Sequence, residues 1–208
     1  MNAAIIAAME TPAIDRAIDA IARDGYAIVP DFIDGMVAAQ LRANALRLES
    51  ACELAPAAVG HGDNRKTRAD IRGDRIRWID DGTEDPAERS LFAMFEELRR
   101  AGNRELQLGL FSFEAHYAVY PPRAGYARHR DRFRDDDSRV LSLVVYLNDP
   151  WRAHDGGQLR LYVDEAHSLD VDPMHRTAIV FLSERFAHQV LPANRSRVSI
   201  AAWFRRRN

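Results

Sequence analysis

Two side chains able to bind a metal stand two residues apart in the stretch from Tyr120 to Asp131, YPPRAGYARHRD: His129 and Asp131. On an extended strand, positions i and i+2 point to one face, so this imidazole and this carboxylate converge. A second histidine from a distant strand would complete a set of two imidazoles and one carboxylate on one face of an octahedral ion, leaving three positions open. His188, between two apolar segments, is the candidate. A second His-x-Asp, His61 and Asp63, lies in a polar stretch; with 7 histidines in 208 residues chance suffices to produce one such pair, so context decides. A metal needs ligands fixed by packing and by outer contacts, which favours His129 and Asp131 over His61 and Asp63. The ordinary alternatives are a solvated charged loop for His129, flanked by Arg128 and Arg130, and a satisfied core histidine for His188.

These residues need a scaffold of strands. Val140 to Leu147 (VLSLVVYL) is a buried strand, Gly156-Gly157 introduces QLRLYV, Thr177 to Leu182 (TAIVFL) leads to His188, and Arg197 to Phe204 (RVSIAAWF) is the last strand. Strands separated by turns with no helix between them predict an antiparallel sandwich or barrel. In the last strand Arg197, Ser199, Ala201 and Trp203 share one face, opposite Val198, Ile200, Ala202 and Phe204. An arginine and a serine facing an apolar interior call for an anionic partner such as a small dicarboxylate. A strand-end arginine reaching solvent is the plain alternative.

Upstream, helical spacing predicts helices over Thr11 to Arg23, Gly35 to Leu48 and Asp85 to Ala101, with a short strand at Tyr26 to Val29. Residues 56 to 73 read as a long exposed loop. Ile71 to Ile79 alternates like a strand, and Leu106 to Tyr120 reads as a strand pair or one long bent strand. The class is therefore α+β with a mainly β core. The expected layout is one domain over 1–208, with 1–105 as helical support and substrate loop and 106–208 as the β core.

A formal net charge of -2 gives no electrostatic case for nucleic acid or a membrane surface as partner. Lys66 is the only lysine, a bias that weakens inference from any single arginine. Cys52 is the only cysteine, which excludes an internal disulfide and a multi-thiolate metal site. The opening residues lack a basic signal-peptide region and no apolar run approaches a membrane span, so a cytoplasmic, reducing setting is expected.

Taken together, several spaced motifs resemble one family. They are Tyr120 with Gly125-Tyr126, His129-x-Asp131, Tyr146-Leu147-Asn148, Gly156-Gly157-x-Leu159-Arg160, His188-x-Val190-x-Pro192-Ala193, Arg197, Trp203, and IRGDRIRW at 71–78. Over Ile71 to Phe204 the chain resembles the prolyl-hydroxylase branch of the Fe(II)/2-oxoglutarate dioxygenases, in particular bacterial relatives of the hypoxia-inducible-factor prolyl hydroxylases. The segment between Tyr120 and His129 is one residue shorter than in animal members.

The resemblance implies a double-stranded β-helix, a jelly-roll, cupin-like barrel with supporting N-terminal helices. It implies Fe(II) on His129, Asp131 and His188, and 2-oxoglutarate with its distal carboxylate on Arg197 and Tyr146, near Tyr120. Tyr126 and Trp203 would line the substrate side, with Asp74 and Arg139 contacting a protein substrate. The implied reaction uses O2, with ascorbate as reductant, converts 2-oxoglutarate to succinate and CO2, and hydroxylates a prolyl residue of a cytoplasmic protein, a translation factor being one candidate. The metal and cosubstrate carry the chemistry, so a nucleophile-base pair is not required. Two alternatives stay open: an oxygenase acting on a free amino acid or other small molecule, and a non-catalytic barrel that senses a metal or ligand.

Overall fold

The computed structural model describes residues 12–58, 66–68, 70–131 and 138–207. Among the described residues there are three α-helices: α1 (Pro12–Asp24), α2 (Gly35–Ser50) and α3 (Pro86–Leu106). The strands are β1 (Tyr26–Val29), β2 (Ala55–Pro56), β3 (Arg75–Trp78), β4 (Ser112–Tyr120), β5 (Tyr126–His129), β6 (Arg139–Tyr146), β7 (Leu159–Tyr162), β8 (Ser168–Val171), β9 (Ala178–Leu182), β10 (Ala187–Val190) and β11 (Arg197–Arg205). They form a seven-stranded sheet in the order β1-β9-β6-β11-β4-β3-β2 and a four-stranded sheet in the order β5-β10-β7-β8. Neighbouring strands are antiparallel throughout, as the turn-separated strand pattern requires. This is the expected double-stranded β-helix.

The alternation in β11 divides the molecule. Val198, Ile200, Ala202 and Phe204 enter the main core with Leu91, Phe95 and Leu98 of α3 and with the stripe Ile14, Ala17, Ile18 and Ile21 of α1. Phe95 meets Phe204 edge-on at 5.9 Å and Phe113 at 5.6 Å. Each such side chain contributes about 1.5–3 kcal/mol by leaving water. The helices thus brace the outer face of the large sheet, and Arg197, Ser199, Ala201 and Trp203 are left to line a cleft on its other face. Asp34 and Asp85 cap α2 and α3 by accepting from two backbone N–H groups each, and Pro86 opens α3 where its missing N–H costs nothing.

Several element boundaries differ from the sequence expectation. Helix α3 runs past Gly102 to Leu106, and Gln107, in the left-handed region at φ 53°, caps it by donating its N–H to Gly102 O. Gly102 is there for packing: a Cβ at that position would come within 3.2 Å of Leu110 Cδ1. Ile71 to Ile79 is not one strand, since only Arg75–Trp78 joins the large sheet. Arg72 instead bridges to Tyr126 and Gly73 N–H bonds to Gly125 O, tying this segment to the smaller sheet. At Gly73 a Cβ would lie 2.9 Å from Ala124 Cβ, so the crossing needs glycine.

Leu106 to Tyr120 contains one strand, β4, and no pair. The loop expected at 56–73 is anchored at both ends, by β2 pairing with β3 and by the Arg72 bridge, and Ala57 is buried. Strands β8 and β10 were unanticipated; His188 lies within β10 and does not merely follow a strand. The large sheet spans both sides of the expected division at 105/106, with β1, β2 and β3 from the first part pairing with strands of the second or with one another. His61, Asp63 and the expected helix start at Thr11 lie outside the described residues.

Candidate metal centre

In the small sheet β10 pairs with β5 so that His188 stands directly opposite His129. Side chains opposite each other across antiparallel strands are neighbours, and the two rings lie with centroids 4.2 Å apart. Asp131 follows two residues after the end of β5 and turns back between them. Its Oδ1 lies 3.5 Å from His129 Nε2 and its Oδ2 3.5 Å from His188 Nε2. One ligand atom from each of the three falls within 4.8 Å of the others.

His129 Nδ1 lies 2.8 Å from Ala127 O and donates its proton there, which leaves the Nε2 lone pair for an ion. Burial holds the His188 imidazole down to about 4, with His129 adding to the effect and Asp131 opposing it. His188 is thus neutral and able to ligate at ordinary pH. Burial alone would raise the Asp131 carboxyl, but His188, His129 and the Ser142 hydroxyl outweigh it and hold it well below the usual carboxylate range. The centre has two imidazoles, one carboxylate and no thiolate, a donor set suited to a ferrous ion with open positions.

Across the cleft lies a second polar group. Arg197 is 1% exposed and stands opposite Tyr120 in the β11–β4 ladder. Its Nε donates to Gly157 O at 2.9 Å and its Nη1 to Ser199 Oγ at 3.2 Å. Among the described residues its Nη2 has no hydrogen-bond partner, nor has the buried hydroxyl of Tyr146. No carboxylate pairs with Arg197 among the described residues. Its guanidinium carbon lies 5.2 Å from the Tyr120 ring centre and 5.1 Å from that of Tyr146. Burial pushes the Tyr146 hydroxyl up to about 12, with Arg197 opposing, and raises that of Tyr120 as well, so both phenols are protonated donors. A buried cation and an unpaired phenol are costly unless an anion satisfies them.

Residues 115–205 match the family model of the 2OG-Fe(II) oxygenase superfamily. A solved prolyl-4-hydroxylase from Pseudomonas putida is 42% identical and superposes with a TM-score of 0.85, covering 94% of this chain and 100% of that one. The chain belongs to the 2OG-Fe(II) oxygenase superfamily. A prolyl hydroxylase from Trichoplax adhaerens, solved with a hypoxia-inducible-factor oxygen degradation domain peptide fragment, is 26% identical with a TM-score of 0.82 over 92% of this chain and 88% of that one. Egl nine homolog 1 from Homo sapiens is 34% identical over 145 residues, which is 65% of this chain and 33% of that protein. The chain spans 42% of the length of Egl nine homolog 1 from Rattus norvegicus and 20% of that of the hypoxia-inducible factor prolyl hydroxylase from Caenorhabditis elegans.

The cofactors of the superfamily, Fe(II) and 2-oxoglutarate, fit the residues present. The His-Asp-His cluster offers the metal donors, and the orphaned Arg197 Nη2 and Tyr146 hydroxyl offer two donors to a distal carboxylate.

Of the residues singled out in the sequence, the cleft brings together His129, Asp131, His188, Arg197, Tyr120, Tyr126, Trp203 and Asp74, and Tyr146 lies behind its wall against Arg197. Arg139 is not in its lining. It pairs with Glu114, Nη2 to Oε1 at 2.6 Å, and lies over the Trp203 ring at 4.0 Å. Asp74 is likewise engaged: Arg72 donates to both its oxygens, at 2.7 and 2.9 Å, and the carboxylate is fully buried. The two opposite charges expected to flank a substrate are therefore each matched by a neighbour on the chain.

Sequence reasoning missed three polar lining residues: Arg72, His116 and Ser142. Arg72 also lies 4.9 Å over the Tyr126 ring, which stacks on His129 at 3.6 Å. His116 packs against Trp78 and Trp203 at 4.9 and 5.2 Å. A signal existed for two of them, because His116 falls in step with Ala118 and Tyr120, and Ser142 with Val144 and Tyr146, at the two-residue period of a strand.

Proposed function

We propose that the chain is an Fe(II)- and 2-oxoglutarate-dependent dioxygenase that hydroxylates a prolyl residue of a cytoplasmic protein. The observation that carries this reading is the placement of a three-ligand cluster and an unpaired, buried guanidinium in one cleft. The likeness to prolyl hydroxylases supports the substrate class.

His129, Asp131 and His188 would hold the metal, while Arg197 and Tyr146, beside Tyr120, would hold the distal carboxylate of 2-oxoglutarate. When bound, these groups supply the oxidising chemistry, with O2 consumed, 2-oxoglutarate converted to succinate and CO2, and a substrate C–H becoming C–OH. The protein's own work is binding, orientation and exclusion of water. Arg197 orients the cosubstrate by charge-assisted hydrogen bonds. Tyr126 and Trp203 present ring faces suited to an apolar prolyl ring, Tyr126 pressed on His129 and Trp203 under the Arg139 guanidinium. Asp74 and Arg139 shape that entrance through Arg72 and Glu114. Among the described residues no helix is long and apolar enough to cross a membrane.

The deciding experiment is mass spectrometry of cell lysate incubated with the enzyme, Fe(II), 2-oxoglutarate and ascorbate, with translation factors among the proteins inspected. A proline that gains one oxygen atom only in the presence of enzyme supports the reading. Oxygen incorporated into free proline, with none in protein, replaces it by the small-molecule alternative. Failure to consume 2-oxoglutarate at all leaves a sensor.

A further inference from the structure

Two hydroxyls occupy places where the strand pattern otherwise puts apolar side chains. Ser142 interrupts VLSLVVYL in β6, and Ser183 follows directly on β9. They are buried, at 1% and 0% exposure. Opposite Ser142 in the ladders stand Trp203 and Phe181, neither of which offers it an acceptor. Buried hydroxyls need partners, and these two find them at the metal centre. Ser142 Oγ lies 2.7 Å from Asp131 Oδ2 and 2.8 Å from Ser183 Oγ.

A serine has one proton, and a carboxylate that ligates a cation has none to give. The Ser142 proton therefore goes to Asp131, and Ser183 donates to Ser142. Ser183 is itself tied to β6 by its N–H bonding Val140 O at 3.0 Å. The three residues of the cluster are held unequally. His129 and His188 sit on paired strands in register, and the Ala127 carbonyl fixes the His129 ring. Asp131 stands beyond the end of β5, where no strand pairing orients it.

We propose that Ser142, held in turn by Ser183, is a positioning residue for Asp131. It fixes the carboxylate's rotation, so that an arriving ion meets a carboxylate already turned toward the two imidazoles. The inference rests on the metal-centre reading and adds what sets the affinity of that centre. Outer partners of this kind are worth about 10–100-fold in metal affinity.

The test is Mn(II) binding to the full chain, followed by electron paramagnetic resonance without 2-oxoglutarate or turnover. Ser142→Ala should lose about 10–100-fold in affinity, Ser142→Thr should recover most of it, and Ser183→Ala should lose a few-fold. The double variant Ser142→Ala/Ser183→Ala should bind no worse than Ser142→Ala, because Ser183 acts only through Ser142. Melting in EDTA separates positioning from general damage: the Mn(II)-induced rise in Tm should shrink while the metal-free Tm stays near that of the wild type. Ser142→Ala affinity within twofold of wild type, or losses that add in the double variant, would overturn the proposal. If Ser142→Ala fails to fold, an unchanged affinity in Ser183→Ala overturns it equally. Asp131→Ala separates the two readings: should it lose Mn(II) while Ser142→Ala does not, the centre stands and the brace fails. A wild type that binds no Mn(II) removes both.

Discussion

Replacing Arg197 by methionine should separate cosubstrate binding from stability, because its contributions to stability offset one another while its contribution to binding does not. The guanidinium is 1% exposed and has no carboxylate partner among the described residues, so the metal-free, ligand-free protein carries an uncompensated buried cation. Removing that charge relieves a desolvation cost, and burying methionine in its place adds apolar packing. Against this, Gly157 O and Ser199 Oγ lose their donors, at about 1–3 kcal/mol for a buried acceptor left alone. These terms offset, and unfolding free energy should stay within about 2 kcal/mol of wild type. Binding has no such compensation. A dicarboxylate placed against Tyr146 would lose its only cationic partner there, a loss of about 2–5 kcal/mol, or about 30-fold to about 4,000-fold in Kd. Calorimetric titration of 2-oxoglutarate into Mn(II)-loaded protein under nitrogen measures the second quantity, and urea denaturation of the ligand-free protein measures the first. Binding within threefold of wild type would refute the assignment of Arg197, and a collapse of stability would show that the guanidinium is a structural strut.

Asp131→Ala should abolish tight Mn(II) binding with the fold intact by circular dichroism, whereas His61→Ala should leave binding unchanged; the reverse result would move the centre to the other His-x-Asp pair. Burial, reinforced by Arg72, holds the His116 imidazole down to about 4. The unfolded chain takes up that proton nearer pH 6.5. The stability His116 permits is therefore intact above about pH 6.5 and lost as pH falls toward about 4, by ~3 kcal/mol. His116→Phe should flatten this part of the acid limb in denaturant titrations, and an unchanged limb would refute the cause given. Phe95→Ala should cost about 3–5 kcal/mol by chemical denaturation, because Phe95 is fully buried between α3 and the sheet. Arg139→Glu places a second carboxylate beside Glu114 and strips the cation from Trp203. It should reduce hydroxylation of a peptide far more than substrate-free decay of 2-oxoglutarate, and equal losses would assign Arg139 to the fold.

What the residues alone determined is what depends on local periodicity. The two-residue alternation of RVSIAAWF put Arg197, Ser199 and Trp203 on one face and Phe204 on the other, and the structure has the first set in the cleft and the second in the core. His129 and Asp131, two apart, converge as their spacing predicts, although Asp131 stands just past the end of β5. The helices α1, α2 and α3 follow their apolar stripes, and α2 and α3 start at caps that are also local. Tertiary structure decided everything that depends on a partner distant in sequence. Strand β8 is only four residues long and is defined by its pairing with β7, where Asp170 meets Arg160 across the ladder and Val171 joins the smaller apolar cluster, and β10 is too short to announce itself until β5 and β7 flank it. Gly102 reads as a helix stop and serves as a packing surface for Leu110, since a missing Cβ means different things in a turn and against a neighbour. Asp74 and Arg139 read as two charges awaiting a substrate, yet each is matched by a side chain on the chain itself. Ser142 reads as a polar flaw in an apolar strand, and only the arrival of Asp131 from another segment shows what its hydroxyl is for. Composition and spacing determine which side chains can do chemistry, while the long-range pairing of strands determines which of them meet.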